Sequence, residues 1–234
     1  MKLAVIPARG GSKRIPRKNI RDFAGQPMIA YAIRAAQGSG LFDSIVVSTD
    51  SDEIAEVARQ FGAEVPFMRP ASLADDHTPT VPVIAHAIDA VSASGRPPSL
   101  VCCIYPGCPL LDPADLRAGL SLLLDRKAHY AFPVLHFPAP IQRALRRRDD
   151  GSVTPFQPEH SQTRSQDLEP AFYDAGQFYW GHARAWTDGI DIHRNGVALI
   201  VPSWRAVDID TPDDWHRAEA LYRAARAPGS LPSP

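Results

Sequence analysis

Five cationic side chains lie within ten residues near the start of the chain: Arg9, Lys13, Arg14, Arg17 and Lys18. Gly10 and Gly11 stand between them, followed by the hydroxyl of Ser12. Glycines let backbone N–H groups converge on phosphate oxygens, and cations neutralise the charge of a polyphosphate. The loop is therefore predicted to bind a nucleoside triphosphate. Because its spacing matches neither a Walker A loop nor GxGxxG, a solvated basic turn is the alternative.

A pair of carboxylates, Asp208 and Asp210, stands two residues apart near the other end of the chain. Residues two apart on a strand project from the same face, so both carboxylates would point the same way. Oxygen ligands of this kind suit Mg²⁺, with water and triphosphate oxygens completing its octahedron. The alternative is that Asp210 only begins the following helix. Asp213 and Asp214 fall in the first turn of that helix, where negative charge is favourable, and are predicted to be structural.

The elements that would position these groups alternate between strands and helices. Short apolar runs mark buried strands, and Gly or Pro residues mark helix ends. The predicted strands cover 3–6, 44–49, 64–67, 100–104, 130–135, 177–180, 197–201 and a short edge at 205–209. The predicted helices cover 27–37, 50–61, 80–95, 112–126 and a last one from 212, with Thr80 and Thr211 as caps. This alternation predicts an α/β fold with a mostly parallel sheet.

Composition and charge are those of an ordinary enzyme domain. The 234 residues are 44% hydrophobic and 22% charged, with a formal net charge of −1, which predicts one α/β domain. Without a bulk basic surface, a nucleic-acid partner is not expected. Cys102, Cys103 and Cys108 form no disulfide or zinc pattern, so Cys102 and Cys103 are expected to pack. With no leader pattern and no apolar run of about 18 residues, we expect no membrane association and a cytoplasmic location.

Residues 136–173 interrupt the alternation with five prolines and five arginines. A long irregular segment in a compact domain is usually functional, an interface or disordered. The segment is therefore predicted to be a functional arm, with a solvated insertion as the alternative. Residues 227–234 are predicted to form a flexible tail.

Several motifs resemble, in chain order, the sialic-acid-type cytidylyltransferases. The stretch PARGGSKRIPRKN at residues 7–19 looks like the N-terminal signature of that family. The other matching motifs are Met28 to Tyr31, Val47 to Asp50, Arg69-Pro70, Pro140 to Arg143, Arg164 to Asp167, Asp174 to Tyr179 and Asp208 to Pro212. Tyr105 to Pro109 and Ala175 to Gln177 depart from the common acylneuraminate pattern on the sugar side. The resemblance, over about residues 1–222, is therefore strongest to the pseudaminate branch.

The resemblance implies a three-layer, Rossmann-like nucleotidyltransferase that transfers CMP from CTP to the anomeric hydroxyl of pseudaminic acid, a nine-carbon α-keto acid sugar. The implied catalytic residues are Arg9, Lys13, Lys18, Asp208 and Asp210, of which the two aspartates hold Mg²⁺. The implied nucleotide contacts are Ala8, Arg9, Gly10, Gly11, Ser12, Lys13, Lys18, Asn19, Arg69 and Thr80. Thr78 is an alternative to Thr80. The group that takes the hydroxyl proton is not identified by the sequence.

The sugar contacts implied by the resemblance lie in the last two-thirds of the chain: Tyr105, Arg143, Arg164, Gln166, Asp167, Asp174, Gln177, Phe178 and Tyr179. An arginine can bind the sugar carboxylate with two hydrogen bonds, which suits Arg164. Phe178 and Tyr179 would form an apolar wall, although one of the two is expected to pack in the core. Residues 136–173 are implied to pair with a second subunit in a homodimer and to close over the sugar.

Three other functions are compatible with the same residues. The first is synthesis of CMP-N-acetylneuraminate or CMP-legionaminate, which differs only in the sugar. The second is nucleotidyl transfer to Kdo or to a sugar 1-phosphate, for which the match between Arg164 and Tyr179 would have to be poorer. The third is a nucleotide-binding regulatory module without catalysis, which would bind CTP but release no pyrophosphate.

Overall fold

The computed structural model describes residues 1–226, so the tail predicted at 227–234 lies outside the described residues. The strands are β1 Lys2–Pro7, β2 Asp22–Phe23, β3 Gln26–Pro27, β4 Ser44–Ser48, β5 Leu100–Ile104, β6 Tyr130–His136, β7 Leu145–Arg147, β8 Val153–Pro155, β9 Phe172–Asp174, β10 Phe178–His182 and β11 Gly196–Ile200. The helices are α1 Met28–Ser39, α2 Asp52–Gln60, α3 Thr80–Ala93, α4 Pro113–Arg126, α5 Ala183–Thr187 and α6 Pro212–Arg226.

The central sheet has the strand order β11-β6-β10-β5-β1-β4, with β9 added beside β6. β1 runs parallel to β4 and β5, and β11 runs parallel to β6. β10 is antiparallel to both β5 and β6, so five strands share one direction while β9 and β10 oppose it. The predicted mostly parallel α/β sheet is confirmed.

Alternate residues of β1 enter two different cores, as its continuous apolar run predicts for a strand buried on both faces. Ala4 and Ile6 pack with α1, α2 and α4, whereas Leu3 and Val5 pack with α3 and α5. Helices therefore cover both faces, and the molecule has three layers. The last helix, α6, packs against β2, where Trp215 and other side chains surround Phe23.

Two predicted strands are wrong. Residues 64–67 make only a single bridge, Glu64 to Val46, because Pro66 has no N–H to continue the ladder. Residues 205–209 form no strand either: a 3₁₀ turn, Ser203–Arg205, leads into an unpaired stretch that reaches Asp210.

Residues 136–173 project from the pair that β6 makes with β9, where Leu135 lies opposite Tyr173. Beyond that stem, the segment contains the β7–β8 hairpin and three 3₁₀ turns, Ile141–Arg143, Pro158–His160 and Ser165–Asp167. We call residues 136–173 the arm. Apart from His136, Phe172 and Tyr173, which belong to β6 and β9, the structure of the arm is local and lies outside the central sheet.

Candidate active site

The basic loop leaves β1 at the edge of the sheet where the parallel strands end. Its first residue, Ala8, is buried and donates its N–H to the Ser48 carbonyl of β4 at 2.9 Å. At the far end of the loop, the buried Asn19 donates from Nδ2 to the Arg9 carbonyl at 2.9 Å. These two hydrogen bonds fix both ends of the loop that carries the cations.

The two glycines of the loop differ in their surroundings. Gly10 donates its N–H to Asp50 Oδ1 at 2.8 Å, and a Cβ on Gly10 would lie 3.1 Å from Ser51 Cβ. Gly10 therefore permits the loop to approach the start of α2. Gly11 has no neighbouring atom within 4 Å of such a Cβ and faces open space. Of the two, Gly11 is the one with room beside its backbone for a ligand.

The loop opens onto a cleft of about 570 Å³ at the carboxyl ends of β1 and β5. The predicted site residues that line it are Arg9, Ser12, Lys13, Lys18, Asn19, Arg69, Thr80, Tyr105, Asp208 and Asp210. The alternative Thr78 lines it too. Cations from the start of the chain and carboxylates from its end thus share one cleft, although nearly two hundred residues separate them.

Asp76 forms salt bridges with two of the loop cations. It was not predicted as a site residue from the sequence. Its Oδ1 lies 2.5 Å from Arg9 Nη1, and its other oxygen pairs with Lys13. Hydrogen bonds from Lys13 and then from Arg9 lower the pKa of Asp76 to about 2, so its carboxylate is charged at neutral pH. Asp75, beside it, fixes the turn by accepting from the His77 N–H at 2.8 Å.

Asp210 is paired with two further cations of the same loop. Arg14 Nη2 lies 2.9 Å from Asp210 Oδ2, and Lys18 Nζ lies 3.7 Å from Oδ1 while donating to the Ile209 carbonyl. Arg14, which is not among the catalytic residues implied by the sequence, also lines the cleft. Burial first, and then repulsion from Asp210, raises the pKa of Asp208, which also lines the cleft.

Arg69 lies deeper in the cleft and is fastened to β4. Its Nε donates to Ser48 Oγ at 3.1 Å and its Nη2 donates to the Ser48 carbonyl at 2.5 Å. Burial lowers the pKa of this guanidinium from its ordinary value. On the opposite side, the Thr80 hydroxyl lies 2.6 Å from the Tyr105 hydroxyl. Thr80 therefore does not cap α3 as predicted, because Pro79 holds the N-cap position without a side-chain hydrogen bond.

Asp174 and Tyr179 lie next to the cleft and brace each other. The Tyr179 hydroxyl donates to Asp174 Oδ2 at 2.9 Å, and the same oxygen lies 2.8 Å from His193 Nε2. Asp174 Oδ1 accepts from the N–H of Gly176, which lines the cleft. Neither Asp174 nor Tyr179 is a lining residue, so in this structure they shape the Gly176 turn.

Three predicted sugar contacts lie inside the protein: Gln177, Phe178 and Tyr179. Phe178 is fully buried on the opposite face of β10, where its ring packs over Gly119 of α4, because successive strand residues point to opposite faces. Phe178 therefore belongs to the core, and its assignment to the sugar wall is wrong. Tyr179 is only 5% exposed and packs in the core on the other face of β10. Gln177 is only 2% exposed, and its Nε2 donates to the Arg205 carbonyl at 2.7 Å. Its side chain does not reach the cleft.

The remaining predicted sugar contacts are exposed on the arm: Arg143, Arg164, Gln166 and Asp167. None of them lines the cleft of its own chain. Gln166 instead lines a second groove, of about 340 Å³, between Phe137 and Ala171. The three cysteines, as expected for Cys102 and Cys103, are buried and unpaired.

Comparison with known proteins decides the family. A family model described as "Cytidylyltransferase" matches residues 3–178. A curated pseudaminic acid cytidylyltransferase of Campylobacter jejuni is 40% identical over 222 residues, which cover 94% of this chain and 96% of the relative. The chain belongs to the cytidylyltransferase family. A cytidylyltransferase is a nucleotidyltransferase, so the predicted enzyme class is confirmed.

A second curated relative and a solved structure are also similar to this chain. A CMP-N,N'-diacetyllegionaminic acid synthase of Legionella pneumophila is 33% identical over 227 residues, covering 94% of this chain and 95% of the relative. Among solved structures, a CMP:2-keto-3-deoxy-manno-octonic acid synthetase complexed with CTP superposes with a TM-score of 0.67 at 18% identity. That match covers 95% of this chain and 98% of the other, and it shows a shared fold.

The carboxylates of the cytidylyltransferase cleft fit a hard divalent cation. Asp208 and Asp210 offer oxygen ligands on one wall, and their mutual repulsion would be relieved by a bound cation. Within residues 1–226, no three His, Cys, Asp or Glu side chains gather into a metal-binding group. A metal there would thus take its remaining ligands from water and substrate, which is usual for Mg²⁺ beside phosphates.

None of the helices in residues 1–226 combines the length and the apolar character that crossing a membrane requires.

Proposed function

We propose that this cytidylyltransferase transfers CMP from CTP to the anomeric hydroxyl of pseudaminic acid, releasing pyrophosphate. The observation that carries the reaction is the cleft itself, in which Arg9, Lys13 and Lys18 face Asp208 and Asp210. The sugar is supported by the 40% identical Campylobacter jejuni relative. The Legionella pneumophila relative supports an alternative product, CMP-legionaminate. CMP-N-acetylneuraminate is the other alternative product. Since CTP is a cytoplasmic nucleotide, the reaction would take place there.

In the proposed reaction, the sugar hydroxyl oxygen forms a bond to the α-phosphorus and loses its proton to water, while the bond to the pyrophosphate oxygen breaks. Negative charge grows on the leaving pyrophosphate, and preorganised cations stabilise it. Lys13 and Arg9 are placed for this role once the triphosphate replaces Asp76 as their partner. Lys18 and Arg14 lie toward Asp210 and would face the α-phosphate.

Mg²⁺ is the proposed cofactor, held by Asp208 and Asp210, and when bound it would neutralise phosphate charge. Asn19 and Arg69 would orient the nucleotide, because both are buried and fixed by hydrogen bonds to the backbone. Tyr105 and the Thr80 hydroxyl would contact the substrates on the opposite wall. Burial raises the pKa of Tyr105 to about 12, so its hydroxyl stays neutral and can donate.

The arm is proposed to form a homodimer and to supply its polar residues to the partner's cleft. It exposes large apolar side chains, with Leu145 58%, Phe156 55% and Val153 55% accessible. Exposed apolar groups clustered on one projection mark an interaction surface. The same arm carries Arg143, Arg164, Gln166 and Asp167, none of which lines the cleft of its own chain. In a dimer, these residues would reach the cleft of the partner subunit.

The dimer is tested with Leu145→Glu combined with Phe156→Glu, against Leu124→Glu as a control. Leu124 is a similarly exposed leucine, 48% accessible, but it lies on α4 outside the arm. Light scattering should show a dimer for the wild type and the control, and a monomer for the arm variant. A monomeric wild type would contradict the dimer.

Sharing of sites between subunits is tested by mixing two inactive variants, Asp210→Ala and Arg164→Ala. If Arg164 serves the partner's cleft, a mixed dimer has one intact site, and about a quarter of wild-type activity should return. If Arg164 serves its own cleft, no activity should return, because every site then carries one of the two changes.

The reaction is tested by pyrophosphate release from CTP and Mg²⁺ with pseudaminic, legionaminic and N-acetylneuraminic acids in parallel. Release that is fastest with pseudaminic acid would support the proposed substrate. Faster release with another sugar would keep the reaction and replace the substrate. CTP binding without release from any sugar would favour a regulatory module. Asp210→Ala should lose activity with Mg²⁺, and an unchanged rate would contradict the metal assignment.

A further inference from the structure

A cluster of polar side chains, buried except for the half-exposed Asp112, lies behind the cleft and touches two of its walls. It consists of Gln177, Arg205, Asp112 and Asp115, which we call the Arg205 cluster. None of the four lines the cleft, so none is placed to touch a substrate. Arg205 and Asp115 nevertheless carry ionisable groups with side chains only 10% exposed. Buried charges of this kind call for a reason, since desolvation makes them costly.

Gln177 connects the two walls directly. Its carbonyl accepts the N–H of Tyr105 at 2.8 Å, and its side-chain Nε2 donates to the carbonyl of Arg205 at 2.7 Å. Tyr105 stands on one wall of the cleft, and Arg205 precedes the stretch that carries Asp208 and Asp210 on the other. One residue is therefore hydrogen-bonded to both sides.

The guanidinium of Arg205 ties the same stretch to α4. Nη1 lies 3.0 Å from Asp112 Oδ2, and Nη2 lies 3.2 Å from Asp115 Oδ1. Asp112 is also the N-cap of α4, where its Oδ1 accepts from the Ala114 N–H at 2.8 Å. The beginning of the metal-binding stretch is thus anchored to the end of a rigid helix rather than to a neighbouring strand.

The energetics indicate that the cluster does not serve stability alone. Gln177 Oε1, Asp115 Oδ2 and Arg205 Nε are buried without a hydrogen-bond partner among residues 1–226. Desolvation raises the pKa of Asp115 to about 6 despite the nearby Arg205. Buried ion pairs with unmet hydrogen bonds are often no more stable than apolar residues of the same size, and their better use is to specify one geometry.

We propose that Gln177 and Arg205 are positioning residues, which hold the Asp208–Asp210 stretch at a fixed distance from Tyr105. This proposal rests on the proposed function, because the stretch matters through its two carboxylates. Misplacing reacting groups by about 1 Å can lower a rate by about a hundredfold. Loosening the cluster should therefore affect turnover and metal use more than folding.

The test compares Gln177→Met and Arg205→Lys with Arg117→Met as a control. Gln177→Met keeps the backbone hydrogen bond to Tyr105 but loses the one to Arg205, and Arg205→Lys keeps the charge but loses the paired contact with Asp112 and Asp115. Arg117 lies on α4 and bonds to the backbone of α1, away from the cleft. We expect kcat to fall about tenfold or more in both cluster variants, with the Mg²⁺ concentration for half-maximal rate raised at least fivefold. The control should match the wild type.

Binding of Mn²⁺ together with CTP, followed by calorimetry, is a readout that does not depend on turnover. We expect both cluster variants to bind at least fivefold more weakly while their Tm stays within a few degrees of wild type. Wild-type binding in variants that remain folded would overturn the positioning role. If Arg205→Lys unfolds, Gln177→Met decides alone. If the wild type binds Mn²⁺ and CTP but is inactive, the proposed function is contradicted. Comparing Mn²⁺ and CTP binding between the wild type and the cluster variants would still test the positioning role.

Discussion

Asp214 lies outside the cleft, and replacing it by alanine should weaken both the last helix and the proposed metal site. Its Oδ2 accepts from the Thr211 N–H at 2.8 Å, from the Thr211 hydroxyl at 2.7 Å and from the Asp210 N–H at 3.2 Å. The Thr211 hydroxyl accepts in turn from the Asp214 N–H at 3.2 Å. This reciprocal arrangement is a capping box, and it holds the backbone of Asp210 directly.

The expected loss is larger than that from any other charge in the same turn. Removing a capping side chain costs about 0.5–2 kcal/mol, and the three hydrogen bonds to Asp214 favour the upper end. Asp213→Ala is the matched control, because it removes the same charge from the same turn and loses only about 0.3–1 kcal/mol of helix-dipole interaction. In a domain of this size, about 1 kcal/mol corresponds to roughly 2–4 °C in Tm. Asp214→Ala should thus unfold several degrees below Asp213→Ala.

Thermal unfolding and Mg²⁺ titration of the proposed reaction measure the two effects. The Mg²⁺ concentration for half-maximal rate should rise about fivefold in Asp214→Ala, which corresponds to about 1 kcal/mol, and stay unchanged in Asp213→Ala. Hydrogen bonds from Thr211, first from its hydroxyl, lower the pKa of Asp214 below 3.8. The cap is therefore complete above that pH and is lost as the pH falls through the lowered pKa. Equal Tm losses in the two variants would refute the capping argument.

Three further predictions concern packing, pH and the loop cations. In Gly119→Ala, the new Cβ would lie 2.7 Å from the buried ring of Phe178, so overpacking should cost about 1–3 kcal/mol in urea unfolding, whereas Ser121→Ala on the exposed side of α4 should not destabilise. Burial raises the pKa of Asp115 from 3.8 to about 6, so its neutral form adds stability below pH 4 that is lost as the pH rises through 6. The unfolding free energy of wild type minus Asp115→Asn should therefore fall by about 2 kcal/mol between pH 4 and 7, and a pH-independent difference would contradict the shift. Asp76→Asn should lower the KM for CTP roughly two- to fivefold by freeing Arg9 and Lys13, and a raised KM would show that Asp76 aids binding.

Local signals explain which parts of the fold could be predicted. The apolar runs of β1 and β5, and the start of α6 at Pro212, are visible in neighbouring residues. Strand 64–67 was predicted from the same kind of run, but the missing N–H of Pro66 limits it to one bridge. The stretch at 205–209 has strand composition without a strand partner, which no local pattern can reveal.

The site was predictable where residue type alone names the chemistry, as for Lys13 and Asp210. Asp76 and Arg205 were missed because their partners are distant: 67 residues separate Asp76 from Arg9, and 93 separate Arg205 from Asp112. Phe178 was misplaced for another reason. Strand alternation puts Phe178 and Tyr179 on opposite faces, but the sequence does not say which face lies toward the cleft.

The Asp208–Asp210 stretch has no strand beside it, so apart from its contacts with Lys18 and Arg14 of the basic loop it is held at its two ends. At the first end, the Gln177 amide binds the Arg205 carbonyl and the Arg205 guanidinium binds the start of α4. At the second end, Asp214 binds the Asp210 N–H from inside α6. Because the two anchors share no residue, the free-energy losses from removing each of them should add. Gln177→Met combined with Asp214→Ala should therefore raise the Mg²⁺ concentration for half-maximal rate by the product of the two single-variant factors. If the double variant needs no more Mg²⁺ than the more impaired single variant, one anchor alone positions the carboxylates.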